Sequence, residues 1–192
     1  MKRLICTLLA LILCMAALVS MSACNGNGND NNTTADGNDG ANEVTSPEPP
    51  AGNKLYENDD LSFAYPETWV TTAGSVPVIS DSNNSGNNIT VAYEPKTTVY
   101  KGMTMDIFNE LFKPAFEAMG LTLSNITISQ VENANGVAIT KLTYNAANAV
   151  TTMKQTIYCF DAGSYTYSVT VTEMVEAYDV VQNVFNTIYV LR

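Results

Sequence analysis

The chain has 192 residues, of which 46% are hydrophobic and 15% charged; nine basic residues stand against 19 acidic ones, a formal charge of −10, and there is no histidine. So little Lys and Arg cannot neutralise a phosphate backbone, which sets nucleic acid aside as a partner, and without histidine no Ser-His or Cys-His nucleophile pair can be built. No Ser-x-x-Lys or Gly-x-Ser-x-Gly phrase, phosphate loop or metal-ligand spacing occurs, so neither a catalytic residue nor a metal ligand is assigned and no cofactor is expected.

Lys2 and Arg3 precede an uncharged run from Leu4 to Ala23 made mostly of Leu, Ile, Ala, Met and Val. Basic, then apolar, then small is the order of an export signal. The run ends Met21-Ser22-Ala23-Cys24, which resembles the lipobox of bacterial lipoproteins, with Met21 where that family favours Leu. The resemblance implies that residues 1–23 are removed and that Cys24 carries a diacylglyceryl group as the first mature residue. Two acyl chains suffice for lasting attachment, since each buried methylene contributes about 0.8 kcal/mol. An uncleaved spanning segment is the other reading of a run of about 20 apolar residues. Either way the rest of the chain faces outward, because the basic residues stay cytoplasmic. Removing 1–23 leaves seven basic against 19 acidic residues, a formal charge of −12.

Residues 24–53 hold the lipidation site followed by Asn, Gly, Asp, Thr, Ser, Pro and Glu with almost nothing apolar. Such a segment cannot offset its ordering entropy and is expected to be a disordered tether with a reach of roughly 30 Å. A single domain is expected over 54–192. Alternation predicts strands at Lys54–Asn58 and Leu61–Tyr65 around an Asp59-Asp60 turn, then a turn at Pro66–Trp69, and strands at Val76–Ile79 and Ile89–Tyr93 separated by the polar loop Ser80–Asn88. Over 104–119 the period changes: Phe108, Leu111, Phe112, Ala115, Phe116 and Met119 recur at helical steps, with Pro114 inside forcing a kink or a restart and Gly120 ending the segment. A meander follows, Ile126–Glu132, Val137–Tyr144, Thr151–Phe160 and Ser164–Thr172. In its last strand Tyr165, Tyr167, Val169 and Val171 read as the buried face and Ser164, Thr166, Ser168 and Thr170 as the solvated one. A closing helix turns Ala177, Val181, Val184, Phe185 and Ile188 inward.

These elements predict an α+β fold, an antiparallel meander sheet with two amphipathic helices packed on it. The opening strand pair ending Phe63-Ala64-Tyr65-Pro66-Glu67-Thr68-Trp69, the central helix, the meander and the C-terminal helix resemble the PsbP/Mog1-like family over 54–192. The resemblance implies an α-β-α sandwich used for binding or assembly, and transfers no site residue.

Among chemical candidates, Glu57, Asp59 and Asp60 gather carboxylates at one turn. Asp106 and Glu110 lie four apart on the central helix, with Lys113 and Glu117 following. Cys159, the sole cysteine expected to remain unmodified, reads as a small buried hydrophobe. Tyr56, Tyr93, Tyr100 and Tyr144 are not all needed for a core. The sequence thus anticipates a non-catalytic extracytoplasmic lipoprotein held to the membrane by Cys24 and binding an envelope protein or small ligand. Its rivals are an envelope hydrolase working through carboxylates and a surface-display protein.

Overall fold

A computed structural model describes residues 45–96, 100 and 102–192. The signal segment 1–23, Cys24 and most of the tether lie outside the described residues. The elements are β1 (Asn53–Glu57), β2 (Leu61–Pro66), β3 (Val70–Thr72), β4 (Val78–Ser80), β5 (Asn88–Pro95), α1 (Met105–Ile107), a π-helical turn (Phe108–Phe112), α2 (Lys113–Ala118), β6 (Thr122–Glu132), β7 (Ala138–Ala147), β8 (Thr152–Ala162), β9 (Tyr165–Glu173), α3 (Tyr178–Thr187) and β10 (Tyr189–Val190). Every strand pairing is antiparallel, and the class is α+β.

The strands form two sheets where the sequence predicts one: β1-β2-β10, and β3-β4-β5-β9-β8-β7-β6. The β1–β2 hairpin pairs with β10 and not with the larger sheet, and two short strands add to the count. β3 and β10 have three and two residues, too few for alternation to register. The meander β6 to β9 is as expected, while β5 crosses through the helical stretch 105–118 and pairs with β9.

Each face of the larger sheet carries its own core. On one, Leu61, Phe63 and Tyr65 of β2 and Val181, Val184 and Ile188 from α3 and its end pack on Ile89, Val91, Ile139, Tyr158, Phe160, Val169 and Val171. On the other, Phe108, Phe112 and Phe116 pack on Leu142, Tyr144, Ala146, Ile157 and Cys159. Each phenylalanine so buried contributes about 2 kcal/mol.

Covering both faces overturns the expectation of a solvated face on β9. Thr166, Ser168, Thr170 and Thr172 are all under 8% exposed. Two of the hydroxyls find local partners, Thr166 donating to Asp161 at 2.7 Å and Thr172 accepting from Gln155 Nε2 at 3.0 Å, while Thr170 Oγ1 is buried without one.

The central helix is one stretch of three parts. Thr104 caps it, its hydroxyl accepting from the Ile107 N–H. Proline has no N–H to give, so the turn ahead of Pro114 widens: Lys113 N–H reaches back five residues to Phe108 O, and α2 restarts with Pro114 in its first turn. The wide turn leaves Phe108 and Phe112 stacked, their centroids 5.9 Å apart and their planes 3° from parallel.

Candidate functional site

Two exposed aromatic rings, Tyr93 and Tyr165, lie at one end of the molecule, where the β1–β2 turn, the β8–β9 turn, the end of β5 and the C-terminus meet. Asn58 fixes the first turn: its side-chain oxygen accepts from Asp60 N and Leu61 N, both at 3.0 Å. That aims Asp60 at Tyr167, whose hydroxyl donates to Asp60 Oδ2 at 2.8 Å. Gly163 makes room for the carboxylate. It has φ of +53°, and a Cβ there would lie 2.2 Å from Asp60 Oδ1, so glycine is required both by conformation and by space. The chain end closes the arrangement, with Leu191 N donating to Asp60 O and Gly163 N to Arg192 O, each at 2.8 Å.

Sheet register places Tyr93 opposite Tyr167 and Pro95 opposite Tyr165. Tyr93 and Tyr165 meet edge to face at 5.0 Å and 68°. Tyr93 lies 5.5 Å from Tyr167, and Tyr165 lies 6.3 Å from Tyr167 at 80°. Tyr93 is 53% exposed and Tyr165 36%, whereas Tyr167 is buried beneath them. Burial, then the hydrogen bond and charge of Asp60, hold the Tyr167 phenol above the usual tyrosine range. Half-buried Tyr56 stacks on Phe63 at 5.0 Å; burial first, then Tyr93, raise its phenol while Asn58 opposes them.

Of the four tyrosines singled out from sequence, Tyr56 and Tyr93 come together here and two do not. Tyr144 is in the core, donating to Gln155 Oε1, and Tyr100 packs on Phe112. Tyr165 is the member that sequence reasoning misses. Alternation assigns it inward with Tyr167, yet it is the first residue of β9, at the sheet end, where little lies above it. Its position just past the Gly163 turn is the available signal.

The other candidates disperse. Asp60 accepts from Tyr167, and among the described residues no three of His, Cys, Asp and Glu converge to hold a metal. Asp106 and Glu110 stand exposed on the helical stretch, and Lys113 meets Glu117 at 3.8 Å on the exposed surface. Cys159 is buried, its thiol pushed up to about 12 by burial and then by Glu94. Beside it lies a cavity of about 30 Å³ between Tyr100, Met103, Phe112, Phe116, Tyr144 and Ile157, room for a water and far below the several hundred Å³ a metabolite needs, roughly 300 Å³ at least. Cys24 lies outside the described residues, as does any contact it makes.

No protein-family profile matches the sequence, and no curated protein matches it either. Among solved structures, a protein of Bacteroides thetaiotaomicron is similar with a TM-score of 0.46 at 10% identity, over 69% of this chain and 45% of its own length. This chain therefore spans less than half of that protein. LpqN of Mycobacterium tuberculosis, a protein involved in cell envelope biogenesis, is similar with a TM-score of 0.41 at 8% identity, over 73% of this chain and 91% of its own. At these values neither likeness bears on what this chain does. Among the described residues no helix is long and apolar enough to cross a membrane.

Proposed function

We propose that this chain is an extracytoplasmic lipoprotein, held to the membrane through Cys24, whose PsbP/Mog1-like domain binds an envelope component or small ligand without transforming it. The observation that carries the binding role is the exposed corner of Tyr93 and Tyr165 over the Tyr167–Asp60 pair. Two partly solvated rings held together on the sheet end offer a preformed aromatic contact surface, each with an apolar body and a polar tip. The anchoring reading rests on Lys2-Arg3, the apolar run and the Met21-Ser22-Ala23-Cys24 phrase. The kinship is supported by the Tyr-Pro-x-x-Trp phrase, which forms the end of β2 and a turn that buries Trp69.

A non-catalytic role fits the state of the groups best suited to chemistry. The Cys159 thiol is buried and held neutral, and a neutral thiol is a poor nucleophile. The helix carboxylates Asp106 and Glu110 face open solvent.

Two measurements test the proposal. Cys24→Ala is expected to release the protein from the membrane fraction; a variant that stays membrane-bound after signal cleavage overturns the anchor. Crosslinking on intact cells, with that variant as the untethered control, is expected to enrich one partner through the tyrosine end. Turnover of an envelope fragment that is lost in Asp106→Asn or Glu110→Gln would overturn the non-catalytic role.

A further inference from the structure

We infer that the open edge of β6 receives β6 of a second copy of this chain, antiparallel about a two-fold axis at Ile128, so that the larger sheet continues from one molecule into the next. β6 ends that sheet and, among the described strands, pairs with β7 alone. The hairpin sets which backbone groups are left over. Asn133 N donates to Val137 O at 3.2 Å, and in an antiparallel pair a strand turns its N–H and C=O to the partner at every second residue. Val131, Ser129 and Thr127 therefore bond to Ile139, Lys141 and Thr143 of β7. The groups of Ile128, Gln130 and Glu132 point off the sheet.

An open row of this kind is a template for another strand unless shortness, charge or proline blunts it. The other edges are blunted. β3 has three residues and β10 two, and β1 carries Lys54 and Glu57. β6 has 11 residues, and from Thr122 to Val131 it holds neither a charge nor a proline. The register shift between Ser124 and Thr127 bends the first half of the strand and leaves Thr127 to Glu132 regular.

Charge and symmetry select a copy of this chain as the occupant. Two molecules of net charge −10 repel each other, and an uncharged edge is where they approach at least cost. With the axis at Ile128, its outward N–H and C=O exchange two bonds with those of Ile128 in the copy. The two Ile128 side chains, each half-buried within its own molecule, then lie side by side on one face. Thr127 faces Ser129 of the copy, a hydroxyl pair that favours strand pairing. Glu132 faces Ser124, which leaves the two Glu132 residues about 27 Å apart along the strands. No like charges meet.

The test uses the full chain produced in cells, with one cysteine added to β6. Thr127 and Ser129 are exposed, so Thr127→Cys and Ser129→Cys are expected to fold, which the emission of buried Trp69 verifies. Produced together and oxidised with copper phenanthroline, the two variants should form a disulfide, because facing positions of this type hold their Cα atoms about 4.5 Å apart, within disulfide reach. Glu132→Cys and the unaltered chain, which keeps the buried Cys159, serve as controls and should each link about fivefold less or not at all, since cysteines so far apart cannot be bridged. Mass spectrometry of the unreduced peptides identifies the 127–129 link. Absence of that link overturns the inference, as does equal linkage from Glu132→Cys, the mark of random collision. A link from β6 to a different protein in place of the copy overturns it too.

Discussion

Replacing Asn133 with alanine should unlatch the C-terminal helix. Asn133 lies in the β6–β7 turn and is 6% exposed. Its Nδ2 donates to Phe185 O at 3.0 Å and Ile188 O at 2.8 Å, carbonyls at the end of α3 that the helix itself cannot satisfy. Its Oδ1 accepts from Asn135 N and Val137 N, both at 3.0 Å. Four bonds at a net ~1 kcal/mol each, offset in part by solvent reaching the opened turn, give a loss of about 3 kcal/mol, and for a chain of this size a fall in Tm on the order of 10 °C. Asn133→Asp separates the two halves of the interaction, since it keeps both acceptor bonds and loses both donors. It also sets a negative charge against the negative end of the helix dipole. At pH 7 it should therefore be at least as destabilised as the alanine variant. Urea melts of the full chain followed by Trp69 fluorescence supply the numbers. If Asn133→Asp stays within about 0.5 kcal/mol of the parent, less than one net hydrogen bond, the amide holds the turn and not the helix end, and the latch is refuted.

Cys159 should resist iodoacetamide at pH 8 in the folded protein and react in urea, read by mass spectrometry of its peptide; burial that holds the thiol up to about 12 is the cause, and rapid native alkylation would contradict it. Stability should fall as pH rises above about 9. Tyr100, Tyr144, Tyr158, Tyr167 and Cys159 all have folded pKa values raised chiefly by burial. Their contribution is complete below the unfolded values of 9.0 for the thiol and 10.0 for the phenols and is lost above them, because the unfolded chain then gives up protons the fold retains; a Tm unchanged between pH 8 and 11 would contradict this. Glu173→Ala should cost about 2 kcal/mol in the same urea melts, chiefly the charge-assisted bond from the Ala177 N–H. The carboxylate is 4% exposed, accepts the Ala177 N–H ahead of α3 at 3.0 Å and stands 3.1 Å from Lys154 Nζ in an ion-pair approach, so a neutral result would remove it from the helix start.

What the sequence discloses depends on how far each element speaks for itself. The β1–β2 hairpin is legible because Leu61, Phe63 and Tyr65 alternate beside an Asn-Asp-Asp turn, and α3 because its apolar residues keep a helical period. The buried polar face of β9 is not, since Ser and Thr at alternate positions read as solvated whatever covers them. The missing information sits in the neighbouring strand: Ile157-Tyr158-Cys159-Phe160 is an unbroken apolar run, which marks a strand buried on both faces. The phenylalanines of 105–118 need a surface, and that second face is it. Pro114 announces a break, but only the backbone shows that the turn before it widens. At the candidate site Tyr93 is visible from sequence and Tyr165 is not, because nothing local says which end of β9 lies open.

The three-stranded sheet also bears on how load would pass through the molecule. β1 and β10 flank β2, and Ala64 N–H of β2 donates to Thr187 Oγ1 at the end of α3, 2.8 Å away. β1 runs from Asn53, where the proposed tether joins, to Glu57 beside the tyrosine end, a length of about 17 Å. Tension between an anchored N-terminus and a ligand gripped by the tyrosines would act along β1. Its five register pairs with β2 would then resist together in shear, where a pull entering at the Asp60 turn would unzip them one by one. A tethered domain that must hold a partner against drag is best served by gripping at that end.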